Sequence, residues 1–124
     1  MIGIRQLFAK IIEAAPGFQP AMDEHLADHD QLLPHVLMAD CGRFVGSYFT
    51  GEKRIASDAP SAVELRNVLA MLDAAMAEGD EETQNVVAVS FVEHLWLAPY
   101  YSDLYPALGP NVRDEIERQR AWRT

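Results

Sequence analysis

The chain has 124 residues, 49% hydrophobic and 23% charged, enough for one packed domain and too few for two comfortable ones. Nineteen Asp and Glu against ten Lys and Arg give a formal net charge of −9, which argues against a nucleic-acid binder and against attraction to anionic membrane surfaces. A single cysteine, Cys41, excludes an internal disulfide, and no stretch reaches the roughly 18 apolar residues of a membrane span.

The first residues, Met1 to Phe8, alternate polar and apolar side chains at helical spacing. They lack the basic-then-apolar layout of a signal peptide, so a cytoplasmic location is expected. Ile4, Leu7, Phe8, Ile11, Ile12 and Ala15 share one face, with Arg5, Gln6, Lys10 and Glu13 opposite. This predicts an amphipathic helix over Ile4 to Ala15, ended by Pro16-Gly17. A second helix is predicted from about Pro20, with a thin apolar stripe of Met22 and Leu26, then Leu33, and Phe18 before it. Pro34 opens a third helix to about Phe49, its apolar face made by Leu37, Met38, Cys41, Phe44, Val45, Tyr48 and Phe49. Asp40, Arg43 and Ser47 line its polar side. Gly42 and Gly46 each cost such a helix about 1 kcal/mol relative to Ala. With Ala39 they predict a small-residue strip that lets another helix approach.

Thr50 to Asp58 reads as a loop, and a fourth helix is predicted over Ala59 to Glu78, with Ser57 or Asp58 as its cap and Pro60 in its first turn. Leu65, Val68, Leu69, Leu72 and Met76 form its buried stripe. Gly79 ends it and Asp80 caps a fifth, whose first turn carries Glu81 and Glu82 where the helix dipole favours them. Val86, Val87, Val89, Phe91, Val92, Leu95, Trp96 and Leu97 cover most of that helix's circumference, which marks it as central; Pro99 stops it. A short turn around Asp103 to Leu108 and a last helix from Asn111 to Trp122 follow. The expected architecture is all-α: a single domain, residues 1–124, folded as a helical bundle of about five long helices plus one or two short ones.

His25 and His29 stand at i, i+4, a spacing that can hold zinc with Asp28 or Glu24 assisting. The order is not His-Glu-x-x-His, however, and histidines beside an apolar stripe ordinarily pack or hydrogen-bond. Ser90, Glu93 and His94 form the polar stripe of the central helix, read either as an acid/base pair or as a solvent seam or buried hydrogen-bond network. Cys41 lies within an apolar face and lacks the electropositive, exposed setting of a reactive thiolate. With no nucleophile elbow and no phosphate-binding glycine pattern, neither an enzyme nor a cofactor is expected. Trp96, Tyr100, Tyr101 and Tyr105 make an aromatic cluster that suits either a homodimer interface or a lid on the core, and the oligomeric state stays open.

Charge placement is more informative. No Lys or Arg occurs from Ile11 to Gly42, where six acidic residues lie, nor from Asn67 to Asn111, where seven lie. Arg113, Arg118, Arg120 and Arg123 concentrate positive charge at the end of the chain. On the second helix Asp23, Glu24, Asp28 and Asp30 are expected to point outward together, with Asp80, Glu81 and Glu82 as a second patch. Such faces are either plain solvated surface or docking sites for a basic protein.

Leu33-Pro-His-Val-Leu-Met-Ala-Asp-Cys-Gly-Arg-Phe-Val45, Asn85-Val-Val-Ala-Val-Ser-Phe-Val-Glu-His-Leu95 and Leu108-Gly-Pro110 together resemble a family of small, acidic, uncharacterised bacterial proteins. Those in turn look like the immunity proteins encoded beside secreted antibacterial toxins. The matching positions include Leu33, Pro34, His35, Asp40, Arg43, Phe44, Ser90, Phe91, Glu93 and Leu95, and the resemblance implies that they hold the fold. It also implies that Asp40 and Arg43 pair at i, i+3. The function expected from resemblance and charge together is stoichiometric neutralisation of a toxin or effector through an acidic surface. A metal-binding bundle or metal-dependent enzyme built on His25 and His29, and a homodimeric interaction module, are the alternatives.

Overall fold

The apolar spacing of the first segment produces the helix it predicts. In the computed structural model, which describes residues 1–122, α1 (Ile4–Ala14) buries Ile4, Leu7, Phe8 and Ile11. Its main partner is α4 (Ala62–Glu78), which answers with Leu65, Val68, Leu69, Leu72 and Ala75. The two run antiparallel. At one end the Gly17 amide donates to Glu64 Oε2 (3.1 Å), and at the other Ile2 forms an isolated parallel bridge with Gly79. That bridge is the sole β pairing among the described residues.

A 3-10 turn (Pro16–Phe18) leads into α2 (Gln19–His29), and α3 (Pro34–Thr50) follows. Phe18 is fully buried against Phe44 of α3, ring centroids 5.1 Å apart. The fifth helix, α5, begins as Glu81–Val87, widens into a π-helical stretch over Ala88–Val92 and finishes as Glu93–Leu95. It packs along α3 and carries Val86, Val87, Phe91, Val92 and Leu95 into the core. A one-turn helix α6 (Tyr101–Leu104) and a 3-10 turn (Tyr105–Ala107) connect to α7 (Pro110–Trp122), which lies against α4 and the π stretch. The chain is thus an all-helical domain of seven helices among the described residues, and no helix there is long and apolar enough to cross a membrane.

Three details depart from the sequence reading. First, α2 buries Ala21 and His25, with Met22 only partly buried against the core and Leu26 turned out at 42% exposed. Two clasps impose this rotation: the Ala21 amide donates to Ser57 Oγ (3.0 Å), and the Leu33 amide donates to His25 Nε2 (3.0 Å). Second, α4 starts at Ala62, not Ala59, because Ser61 and Glu64 form a reciprocal capping box, Ser61 Oγ accepting the Glu64 amide and Glu64 Oε1 the Ser61 amide. Ser57, expected as the α4 cap, serves α2 instead. Third, α5 ends at Leu95, four residues before Pro99, and leaves Leu97 63% exposed. The π turn adds one residue to the winding, so the Glu93 amide reaches back five residues to the Ala88 carbonyl. That carbonyl also accepts Gln119 Nε2 of α7 (2.9 Å), while Gln119 Oε1 accepts Trp96 Nε1 (3.0 Å).

The small-residue strip on α3 has two different neighbours. A Cβ on Gly46 would fall 2.5 Å from the Tyr100 hydroxyl, so this glycine makes room for an aromatic ring. A Cβ on Gly42 would meet Phe91 Cδ1 at 3.8 Å, ordinary contact distance. The aromatic cluster forms a lid: Tyr100 stacks on Phe49 (5.4 Å, 3°), Tyr101 meets Tyr105 edge-on (5.7 Å), and the Arg113 guanidinium lies 4.7 Å over the Tyr105 ring.

Candidate functional site

The predicted acidic residues occupy two separate places. Asp23, Glu24, Asp28 and Asp30 are all exposed on α2, and no salt bridge reaches any of them among the described residues. Asp23 accepts a hydrogen bond from Gln19 Nε2 (2.8 Å). Asp28 and Asp30 stand at the C-terminal end of the helix, where the macrodipole is negative and carboxylates are disfavoured by about 0.3–1 kcal/mol each. Asp30 is also the helix C-cap in the left-handed conformation (φ 56°), a position glycine fills with less strain. These placements do not help α2 to form.

Asp80, Glu81 and Glu82 lie at the start of α5, beside the Ile2–Gly79 bridge. Since α2 starts beside the other end of α4, and 17 residues of helix span about 25 Å, the two patches begin at opposite ends of the α1–α4 pair. Their chemistry also differs. Asp80 Oδ1 accepts the Thr83 amide (2.8 Å), and the Thr83 side chain and then this amide draw its carboxyl below the ordinary range, so this residue is engaged as a cap. Glu81 and Glu82 are exposed in the first turn, where the dipole welcomes them.

His25 is 3% exposed. Its Nε2 accepts the Leu33 amide, so in the neutral ring the proton sits on Nδ1. A metal-binding imidazole needs a free lone pair on one nitrogen and a proton on the other; here the lone pair is already used. His29 lies alongside, ring centroids 4.7 Å apart, and the two border a recess of about 110 Å3 with Glu24, Asp28 and Asp40. No three His, Cys, Asp or Glu side chains among the described residues are placed to hold a metal ion. Burial, and then the charge of His29, hold the His25 pKa below its ordinary value, outweighing the carboxylates of Asp40 and Asp28.

The polar stripe of α5 divides. Ser90 is buried and its Oγ lies 2.6 Å from His35 Nδ1, joining the first turn of α3 to the π stretch, whereas His94 is exposed. A serine held by a histidine is the start of a nucleophilic arrangement, but the amides around Ser90 belong to the helical ladder and offer no oxyanion donors. The pair acts as a clasp. Cys41 is fully buried, and desolvation together with Asp40 pushes its thiol up to about 12. Asp40 accepts Arg43 Nη1 at 2.9 Å, the i, i+3 pair that the resemblance implies.

Sequence reasoning missed a cleft of about 410 Å3 between α3 and α5, with Gly42, Phe91 and Leu95 among its walls and Arg43 and Arg54 beside it. Its signal was the pair of mid-helix glycines, which was read as a helix contact. Of the C-terminal arginines, Arg113, Arg118 and Arg120 are on α7, and Arg123 lies outside the described residues. Residues 8–123 match the model of a family described as a domain of unknown function (DUF7674). No curated protein and no solved structure matches the chain.

Proposed function

We propose that this chain, which belongs to the DUF7674 family, is an immunity-type protein that neutralises a toxin or effector by stoichiometric binding through an acidic surface. The observation that carries this reading is the placement of charge on α2. Four exposed carboxylates make no salt bridge among the described residues, and two of them sit at the helix end that electrostatics disfavours. Charges that do not stabilise their own helix are well suited to steer a basic partner and fix its register. In this reading Asp23, Glu24, Asp28 and Asp30 stand in for phosphates and engage Lys and Arg of a nucleic-acid-processing domain. Glu81 and Glu82 form a second, independent contact. Asp80 contributes less than its charge suggests, since it is occupied with the Thr83 amide.

The test is recovery of a basic protein on the immobilised chain from the native cell, followed by association kinetics. The double variant Asp23→Lys/Asp28→Lys is expected to slow association by at least about tenfold at low salt, with the difference shrinking as salt rises. An unchanged association rate, or no basic protein recovered, would refute the reading.

A further inference from the structure

We infer that the cleft between α3 and α5 binds a small organic anion with an apolar body. At about 410 Å3 it lies within the size range of small-molecule sites. Phe91, Leu95 and Pro99 give it apolar walls, and the Tyr100 ring closes one side. Gly42 lies on the α3 wall. A mid-helix glycine sacrifices about 1 kcal/mol of helix stability, yet packing does not require this one, since a methyl group would meet Phe91 at an ordinary 3.8 Å. What the missing side chain preserves is the space itself.

The charge of the ligand follows from the rim. Between Ile11 and Val112 the chain has four basic residues, Arg43, Lys53, Arg54 and Arg66, and two of them, Arg43 and Arg54, line this cleft. Each has one carboxylate neighbour. Arg43 uses Nη1 on Asp40, and Arg54 uses Nε and Nη2 on Glu52. Among the described residues Nη2 of Arg43 and Nη1 of Arg54 are left as donors; Glu52 also lines the cleft, but exposed bridges of this kind are weak, so an anion can compete for the guanidinium groups. The exposed imidazole of His94 and the half-buried Tyr100 hydroxyl add hydrogen-bonding capacity. A polyanion is disfavoured by the overall charge of −9, which leaves a compact ligand of low charge.

The probe is 1-anilinonaphthalene-8-sulfonate, titrated by fluorescence into the whole folded chain, with uncharged N-phenyl-1-naphthylamine as comparator. Expected are one saturable site for the sulfonate and binding about tenfold weaker for the uncharged dye. Gly42→Leu fills the cleft and removes the site. Arg43→Gln/Arg54→Gln, two exposed changes, lowers sulfonate affinity to that of the neutral dye, and Glu52→Gln raises it. Circular dichroism melts establish that each variant is folded. Absence of a saturable site, equal affinity for the two dyes, or wild-type sulfonate affinity in folded Gly42→Leu or in the double arginine variant would overturn the assignment. None of these outcomes depends on a protein partner.

Discussion

Gly42 and Gly46 sit one turn apart on α3, and the same substitution at the two positions is expected to move stability in opposite directions. In Gly42→Ala the helix gains about 1 kcal/mol of intrinsic propensity, and the new methyl touches Phe91 Cδ1 at 3.8 Å without displacing it. The variant should therefore be more stable by about 1 kcal/mol. In Gly46→Ala the same gain is offset by the Tyr100 hydroxyl, 2.5 Å from the new carbon. Tyr100 is not free to swing aside, because its ring is stacked on Phe49 at 5.4 Å and is half-buried. Overpacking of this type costs about 1–3 kcal/mol, and loosening an aromatic pair about 0.5–1.5 kcal/mol. The net change is a loss of about 1–2 kcal/mol. For a chain of this size each kcal/mol shifts Tm by about 4 °C, so the two variants should melt about 10 °C apart on either side of the parent. Thermal unfolding followed by circular dichroism measures this directly. If Gly46→Ala melts as high as Gly42→Ala, Tyr100 is not seated on Gly46 and the account of the strip is wrong.

Asp73 of α4 accepts the Val112 amide (2.9 Å) and Asn111 Nδ2 (3.0 Å), capping α7 from a neighbouring helix; Asp73→Ala should cost about 1–2 kcal/mol in urea unfolding, with Asp73→Asn recovering part of it. Because the His25 pKa is lowered in the fold, the unfolded chain takes up a proton below about pH 6.5 that the native state refuses. Stability is therefore expected to fall as pH drops from 6.5 towards 5, and His25→Gln should flatten that part of the urea-midpoint profile. Cys41, with its thiol raised to about 12 in a fully buried site, should not react with a disulfide reagent at pH 8 until the chain is unfolded. Labelling of the native protein at the rate of the unfolded chain would contradict that placement.

The parts of the fold legible in the sequence are those set by local rules. The α1 face, the Asp80 cap and the wide apolar side of α3 all follow from spacing within a few residues. The misread parts depend on groups far apart in the chain. Ser57 looks like a cap for the helix just after it, yet its hydroxyl serves Ala21, 36 residues earlier. The inward turn of His25 comes from Leu33, beyond the end of α2, and not from the hydrophobicity of its neighbours. The π stretch arises where the Ala88 carbonyl takes Gln119 as an extra donor from α7, a contact no periodicity within α5 encodes. The four acidic residues of α2 are all exposed, but they do not point outward together: Glu24 and Asp28, three and seven residues from Ala21, border the recess beside His25, while Asp23 and Asp30 lie on the opposite side of the helix. The cleft escaped notice because a glycine with no room for a Cβ and a glycine with room for one look alike in a sequence.

The two clasps on α2 have a dynamic corollary. With only Ala21 and His25 buried, this 11-residue helix has little apolar area holding it, and a helix so short is marginal without tertiary support. It should open as a unit at a lower free energy than α1 or α4, and the amides of Ala21 and Leu33 should exchange with deuterium together when it does. The Ala21 amide is buried beneath α2 and the Leu33 amide is held beyond its end by His25, whereas the four carboxylates of α2 are exposed. A protein bound to those carboxylates would slow exchange at both amides, giving a readout of occupancy away from the contact itself.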